Sequence, residues 1–249
     1  MTQTAQNSKP DSLAKNSSTG PAVVQCRGVE RTYQQDSVPV HALRGVDLAI
    51  QEGEFVSLAG PSGSGKSTLL NIIGGLDGFD AGTVTVDGTD LGSLNSAELA
   101  DLRLRKIGFV FQAYNLIPVL SAQENVEFIL QLQGVSAQQR RQLAMDALAS
   151  LGLGDLAHRR PGELSGGQQQ RVAIARAIVT KPVLLLADEP TANLDSKTTS
   201  ELLKVLQQLN QQQGITIVTA THDPIVMGFT SRQIAMLDGE IHQDSAGAR

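Results

Sequence analysis

Several features that would define a function class are missing from the sequence. Cys26 is the single cysteine, so no internal disulfide can form, and this fits a reducing compartment. The net charge is −5 and no basic stripe is present, which argues against double-stranded nucleic acid as a primary partner. No apolar run approaches the roughly 20 residues that a membrane-spanning helix needs. The chain is therefore expected to bind no nucleic acid and to cross no bilayer.

The start of the chain also lacks an apolar segment. Residues 1–20 are rich in Ser, Thr, Gln and Asn, which predicts a disordered polar tail rather than a signal peptide and makes the cytoplasm the expected location. The chain has 249 residues, 41% of them hydrophobic, and this is enough to bury a core without disulfides. We expect one folded domain over residues 22–245, between tails at 1–21 and 246–249.

The order of predicted strands and helices indicates the fold class. Residues 23 to about 91 are predicted to be mostly β-structure, with turn signals at residues 51–53 and 87–88. The middle is predicted to be helical, with N-cap signals at Ser121, Ser136 and Ser165.

In the last third, strands are predicted at residues 183–186 and 215–220, with a helix at 198–212 between them. A hairpin around residues 238–239 follows. Strands that alternate with helices predict an α/β fold with a mostly parallel sheet covered on both faces.

A glycine-rich segment joins a predicted strand at residues 55–59 to a predicted helix. It fits the phosphate-binding pattern G-x-x-x-x-G-K-[ST], in which glycines let backbone N–H groups converge on phosphate oxygens. Lys66 is expected to reach the β- and γ-phosphates, and Ser67 to hold Mg²⁺. An ordinary Gly/Ser turn is the alternative, but it does not explain the full spacing. The nucleotide-binding residues of this phosphate loop are Gly60, Pro61, Ser62, Gly63, Ser64, Gly65, Lys66, Ser67 and Thr68.

A pair of acidic residues, Asp188 and Glu189, ends the apolar run at residues 183–187. Ligands of open α/β sheets bind at the carboxyl ends of strands, where these side chains are expected. Asp188 is predicted to hold Mg²⁺, and Glu189 to act as the general base that polarises the attacking water. A solvated turn is the alternative. The presence of the phosphate loop makes this alternative less favoured, because a triphosphate site needs such a carboxylate.

A third segment, residues 164–168 with the sequence Leu-Ser-Gly-Gly-Gln, is called the signature segment here. Ser165 is a natural N-cap, and the glycines that follow expose N–H groups at a helix start, as in an anion site. A plain capping box of Ser165 with Gln168 is the alternative, and it gives Gly166 and Gly167 no purpose.

Together these segments resemble the nucleotide-binding domain of ABC transporters over nearly all of residues 23–242. Within that family, the sequence resembles most the ATPases of the MacB, LolD and FtsE types. Four segments carry this closer resemblance: residues 42–46, 74–77, 111–118 and 186–191. Ala192 departs from it, because these relatives usually carry glycine there. The implied fold is an α/β P-loop NTPase core with an N-terminal antiparallel β subdomain and a helical signature subdomain at about residues 113–180.

The resemblance implies a function for the chain. It would be the ATP-hydrolysing subunit of an ABC transporter, a translocase with ATP and Mg²⁺ as cofactors. Its partners would be a transmembrane permease and a second copy of itself, packed head to tail. It would lie at the cytoplasmic face of the inner membrane, held there by the permease. The implied cargo is a lipoprotein, lipid, peptide or drug.

The resemblance also implies residue roles. Tyr33 would stack on adenine, Gln112 would sense Mg²⁺ and water, and His222 would contact the γ-phosphate. The signature segment of the opposite copy would complete the nucleotide site, through Ser165, Gly166, Gly167 and Gln168.

Alternatives stay open for each of these roles. Tyr33 could be a core aromatic, Gln112 a polar strand end, and His222 part of a surface turn. Asp195 matches a loop that contacts the opposite copy, but it could equally be a helix cap. The resemblance implies that residues 113 to about 135 meet the permease, but the apolar residues of 114–119 could instead be local core. At the level of the whole chain, the alternatives are a soluble ABC ATPase outside transport and a small-molecule kinase, which needs no signature segment.

Overall fold

The computed structural model describes residues 22–35 and 38–245. The predicted tails at residues 1–21 and 246–249 lie outside the described residues. Within the described part, the strands are β1 (Ala22–Gln35), β2 (Val38–Gln51), β3 (Phe55–Ala59), β4 (Ala81–Val86), β5 (Thr89–Asp90), β6 (Ile107–Phe111), β7 (Leu184–Asp188), β8 (Thr216–Thr221), β9 (Arg232–Leu237) and β10 (Glu240–Asp244). The helices are α1 (Lys66–Ile73), α2 (Ser96–Lys106), α3 (Ala122–Leu132), α4 (Ala137–Ser150), α5 (Gly166–Ile178), α6 (Ser196–Gln213) and α7 (Pro224–Phe229).

The strands form two sheets. The first is antiparallel, with the order β2-β1-β4-β5. The second has the order β10-β9-β3-β8-β7-β6, in which the five strands from β9 to β6 run parallel and β10 pairs antiparallel with β9. The predicted α/β fold, with an antiparallel β subdomain beside a mostly parallel sheet, is confirmed.

Both faces of the parallel sheet are buried, as β7 illustrates. Leu184 and Leu186 belong to the hydrophobic cluster that includes α1 and the antiparallel sheet. Leu185 and Ala187 belong to the cluster that includes α3 to α6. Successive side chains of a strand point to opposite faces, so a strand between two layers needs the continuous apolar run that predicted it.

Helix starts follow the sequence signals closely. Ser121 and Ser165 form complete capping boxes with Glu124 and Gln168. Ser136 caps α4, but Gln139 accepts from the Ser136 hydroxyl instead of the backbone, so the box there is incomplete. Within the described residues, no helix is both long and apolar enough to cross a bilayer.

Element boundaries differ from the predicted ones by one or two residues. β7 extends to Asp188 instead of ending at residue 186, because Asp188 still pairs with its neighbours on both sides. α6 begins at Ser196 because Asp195 caps it through the N–H groups of Lys197 and Thr198. The predicted limits of a helical subdomain at about residues 113 and 180 stay a prediction.

Candidate nucleotide-binding site

The parallel register brings four sequence-distant segments to one edge of the sheet. Ala59 pairs with Thr221, Ala220 pairs with Asp188, and Asp188 pairs with Phe111. Strands β3, β8, β7 and β6 therefore end at matching levels. Four predicted site residues come next along the chain: Gly60, Gln112, Glu189 and His222.

Glycine is required in the phosphate loop for steric reasons. Gly60, Gly63 and Gly65 all have positive φ, at 152°, 82° and 98°. A Cβ on Gly60 would lie 2.2 Å from the Met236 carbonyl oxygen, and one on Gly65 would lie 2.6 Å from that of Ala42. Neither clash can be relieved by a side-chain rotation, because both involve backbone atoms. The loop therefore keeps its path only with glycine at these positions.

Several polar groups of the phosphate loop are left for a ligand. Gly65 is the N-cap of α1. Because glycine has no side chain, the first N–H groups of the helix receive no side-chain capping hydrogen bond. The Ser64 hydroxyl is buried and has no hydrogen-bond partner among the described residues. Lys66 folds back, and its Nζ donates to the carbonyl oxygens of Gly60 and Pro61, each at 2.8 Å. These groups fit an anionic phosphate chain.

Two of the three predicted Mg²⁺ ligands, Ser67 and Asp188, lie together, and Gln112 as the third stays a prediction. The Ser67 hydroxyl donates to Asp188 Oδ1 over 2.9 Å. Burial raises the pKa of Asp188 and its neighbour Glu189 adds to this, while the Ser67 hydrogen bond and Lys66 lower it. No group of three acidic, histidine or cysteine residues able to hold a metal exists in the described part of the chain. One hydroxyl and one carboxylate fit Mg²⁺, which keeps waters and takes its other ligands from substrate phosphates.

Glu189 is held in an unusual backbone conformation. Its φ is 45°, in the left-handed region that costs a non-glycine residue about 1–3 kcal/mol. Its N–H donates to the Ala220 carbonyl oxygen at 3.0 Å, and its Oε1 lies 2.7 Å from His222 Nδ1. The His222 side chain is 69% exposed. The acid and the imidazole therefore form one polar unit at the sheet edge.

Gln112 is exposed and follows β6 directly. Its carbonyl oxygen accepts from Asn193 Nδ2 at 3.1 Å, which ties it to the loop after the acid pair. In the segment that follows, Leu116 packs against the core, whereas Val119 is 73% exposed. Leu116 therefore fits the local-core alternative, whereas Val119 is available as surface.

The structure places Tyr33 on β1, half-buried. Its hydroxyl donates to Asp77 Oδ2, and the Arg31 guanidinium lies 4.8 Å from the centre of its ring. Arg31 is also paired with Asp77 and Asp80. Tyr33 is only half-buried and belongs to neither hydrophobic cluster, which argues against a core aromatic, and adenine stacking stays a prediction.

The signature segment starts α5, as predicted, and its glycines have a purpose that the sequence did not reveal. A Cβ on Gly167 would lie 2.4 Å from Thr198 Cγ2, and one on Gly166 would lie 2.8 Å from the Tyr114 hydroxyl. Both glycines therefore permit close packing within the chain. Among the described residues, no hydrogen bond joins the signature segment to the phosphate loop.

Two functional candidates were missed at the sequence level. Gln170 on α5 is fully buried and donates to the carbonyl oxygens of Phe111 and Pro190. Arg176 donates to the carbonyl oxygens of Tyr114 and Asn115. A helical Gln or Arg has many surface roles, so only the fold could single these out.

Comparisons with known proteins agree with this geometry. The family model described as "ABC transporter" matches residues 43–192. The chain is 47% identical to an uncharacterized ABC transporter ATP-binding protein, MJ0796, of Methanocaldococcus jannaschii, over 89% of this chain and 96% of that protein. A solved structure titled as a dimeric, post-hydrolysis state of the ATP-binding cassette MJ0796 bound to ADP and Pi superposes with a TM-score of 0.83 at 47% identity. The match covers 89% of this chain and 97% of that one.

A further relative is longer than this chain. The macrolide export ATP-binding/permease protein MacB of Syntrophobacter fumaroxidans is 47% identical over 90% of the present chain, which spans only 32% of the MacB length. Sequence, fold and site agree, and the chain belongs to the ABC transporter family as an ATP-binding cassette.

Proposed function

We propose that this chain hydrolyses Mg²⁺-bound ATP at the carboxyl-terminal ends of its parallel strands. Hydrolysis would drive a permease that is a separate polypeptide. The observation that carries the proposal is the register of β3, β8, β7 and β6. It gathers the phosphate loop, the acid pair, His222 and Gln112 at one place. Phosphoryl transfer needs little covalent chemistry from the protein, so correct placement of such groups is most of catalysis.

Nucleotide binding is assigned to the phosphate loop. Lys66 would exchange its two backbone carbonyl partners for phosphate oxygens, and the α1 N-terminus would face the same charge. Ser67, Asp188 and Gln112 would hold Mg²⁺. Bound Mg²⁺ supplies charge neutralisation at the β- and γ-phosphates. Tyr33 would offer the ring face opposite Arg31 to the adenine.

Hydrolysis is assigned to Glu189 with His222. Glu189 accepts the proton of an attacking water as general base, and His222 orients the carboxylate and hydrogen-bonds the γ-phosphate. The strained backbone of Glu189 directs this side chain toward the sheet edge. Catalysis then rests on positioning and electrostatic stabilisation.

The second nucleotide contact is assigned to another copy of the chain. The signature segment has no hydrogen bond to the phosphate loop within the described residues, and the family resemblance assigns its anion-binding role to a facing protomer. Head-to-tail packing would bring Ser165, Gly166, Gly167 and Gln168 against the γ-phosphate held by the partner. The dimeric MJ0796 structure supports such an assembly for a relative.

An apolar cleft is the proposed docking site for the permease. It measures about 530 Å³ and includes Leu76, Ile129 and Leu132, of which Leu76 and Leu132 are 47% and 57% exposed. Arg176 lines the same cleft and holds the carbonyl oxygens of residues 114 and 115. An occupant of the cleft would therefore act on the segment after Gln112.

The cargo class and the location follow from the same proposal. The relatives of the MacB type are named for macrolide export, which supports a drug-like or lipid-like cargo. The chain would act at the cytoplasmic face of the inner membrane, and the permease would hold it there.

The test is ATP hydrolysis by the purified chain with Mg²⁺ and with a chelator, for wild type and Glu189→Gln. We expect wild-type hydrolysis to need Mg²⁺, and the variant to bind ATP but to turn over about 10²–10⁴ times more slowly, because the general base is lost. The variant should also accumulate ATP-bound dimers in size-exclusion chromatography. Glu240→Gln, an exposed residue of β10, is the matched control. Wild-type turnover in Glu189→Gln would contradict the assignment of the base.

A further inference from the structure

Gln170 lies on α5, two residues beyond the signature segment, and 0% of it is exposed. Its Nε2 donates to the Pro190 carbonyl oxygen at 2.7 Å and, more weakly, to the Phe111 carbonyl oxygen at 3.4 Å. Long polar side chains are rarely buried so completely unless their polar groups are paired. The two bonds explain why this position tolerates a glutamine.

The two acceptors are adjacent to the residues that handle the attacking water. Phe111 immediately precedes Gln112, and Pro190 immediately follows Glu189. They extend from β6 and β7, which are neighbouring strands in the sheet. One amide group therefore fastens the backbone on both sides of the hydrolytic centre to the same helix.

The position selects a hydrogen-bond donor. Gln170 Oε1 is buried and has no partner among the described residues, while Nε2 is used twice. A flipped amide would set Oε1 against two carbonyl oxygens, so the orientation is fixed by its neighbours. The structural contribution of Gln170 therefore comes from its amide NH₂ group, which donates both hydrogen bonds.

Other bonds restrain the same region without replacing this one. Asn193 Nδ2 donates to the Gln112 carbonyl oxygen, and Arg176 donates to those of Tyr114 and Asn115. Arg176 and Gln170 both belong to α5. Helix α5 thus holds the backbone just before Gln112 through Gln170 and just after it through Arg176. Of these two α5 side chains, Gln170 also reaches the loop of Glu189, which Asn193 joins to Gln112 by a separate bond.

We propose that Gln170 is a positioning residue for ATP hydrolysis, which sets the spacing between Gln112 and Glu189 and links it to the signature segment at the head of α5. The inference rests on the proposed function. Gln170 is fully buried and its amide donates to backbone carbonyl oxygens, so it acts through the backbone on either side. Loss of its donor therefore slows the chemical step and leaves nucleotide binding at the phosphate loop intact.

The first test compares Gln170→Met with Asn210→Leu, since each replaces a buried or half-buried amide by an apolar group of similar size. Asn210 Nδ2 also donates to two carbonyl oxygens, of Gly53 and Ile215, at the opposite edge of the sheet. Both variants are expected to lower the unfolding midpoint. Only Gln170→Met is expected to lower kcat, by about tenfold or more, with KM for ATP within about twofold of wild type. Equal kcat in the two variants would overturn the proposal.

The second test is the pH profile of Gln170→Glu, which also serves if Gln170→Met does not fold. A buried carboxylate facing two carbonyl oxygens has its pKa raised, and only its protonated form can donate to Pro190. We expect kcat of this variant, relative to wild type, to recover as the pH falls from about 8 to about 6. Profiles that run parallel to wild type would overturn the proposal, because the loss and return of the donor to Pro190 would then leave kcat unchanged.

Failure of the inference is distinguishable from failure of the function on which it rests. A wild-type chain without Mg²⁺-dependent ATP hydrolysis contradicts the proposed function. An active wild type with an equally active Gln170→Met contradicts only the role of Gln170.

Discussion

The phosphate loop and the signature segment each lead into a helix, yet the two helix starts differ in how their polar groups are occupied. At α1, the N-cap is Gly65, which supplies no side-chain cap, and the Ser64 hydroxyl is unpaired among the described residues. At α5, Ser165 and Gln168 satisfy each other in a capping box. The first helix start is built to receive a ligand within its own chain. The second has its capping groups paired with each other.

The glycines of the two segments also differ, both in backbone conformation and in the atoms that lie against them. Gly60, Gly63 and Gly65 of the phosphate loop have positive φ, and Gly60 and Gly65 lie against backbone oxygens. Gly166 and Gly167 do not have positive φ, and side chains of Tyr114 and Thr198 lie against them. Glycine therefore permits a strained backbone path in the phosphate loop and close side-chain packing in the signature segment.

The largest expected effect is on ATP affinity, which should depend strongly on the phosphate loop and only weakly on the signature segment. Lys66→Ala should weaken ATP binding about a hundredfold, because charge-assisted hydrogen bonds to phosphate of about 1.5–3 kcal/mol are lost. Ser165→Ala should leave binding to the single chain within about threefold, because Ser165 is proposed to contact the nucleotide of the opposite copy. Fluorescent-nucleotide titration of both variants measures this difference. Equal losses would show that the two segments act on the same nucleotide within one chain.

A second prediction concerns which glycine can be rescued. Gly167→Ala should destabilise the chain by about 1–3 kcal/mol through its clash with the Thr198 methyl group. Thr198→Ser removes that methyl and keeps the hydroxyl that donates to Asp195, so the double variant should recover most of the loss. Urea unfolding of the four proteins in the cycle measures the coupling.

Gly65→Ala is the contrasting case. Its Cβ would meet the Ala42 backbone oxygen, which no substitution removes. If Thr198→Ser failed to rescue Gly167→Ala, the packing explanation for the signature glycines would be wrong.

A smaller effect is expected from the caps. Ser165→Ala should lower the free energy of unfolding by about 1 kcal/mol, because α5 loses its N-cap. Ser67→Ala, on the first turn of α1, removes no cap, and should change stability less than Ser165→Ala does. Chemical denaturation of the nucleotide-free chain decides between these outcomes. A larger loss in Ser67→Ala would reverse the contrast drawn between the two helix starts.

The smallest effect is a pH dependence of the phosphate site. Burial raises the pKa of Asp188 in the folded chain, so its contribution to stability is full below the usual Asp pKa and is lost as the pH rises through the folded value. Asp188→Asn should therefore match wild-type stability in acid and exceed it slightly at neutral pH without nucleotide. Thermal melts across the acidic range check this. A stability difference that stays constant with pH would contradict the desolvation argument.

Much of the fold and of the site could be predicted from the sequence because both rely on local patterns. The apolar run of β7 and the Gly-Lys-Ser spacing are local signals with direct physical causes. Gln170 and Arg176 carry no such signal, since their partners are backbone carbonyl oxygens distant in sequence. Asp195 shows an intermediate case, in which the helix-cap alternative is confirmed by its bonds to Lys197 and Thr198 while the predicted contact to an opposite copy stays a prediction.

By itself, the sequence determined the strand and helix order, the phosphate loop and the presence of the acid pair, because these depend on side-chain periodicity, glycine freedom and residue spacing along the chain. Only the tertiary structure decided how Ser67 meets Asp188, how Glu189 meets His222, and why Gly167 must be small. Those contacts join residues that are far apart in sequence. The first two exist because the register of the parallel sheet, and not any local pattern, sets which strand ends lie near one another. The third exists because helix α5 packs against helix α6.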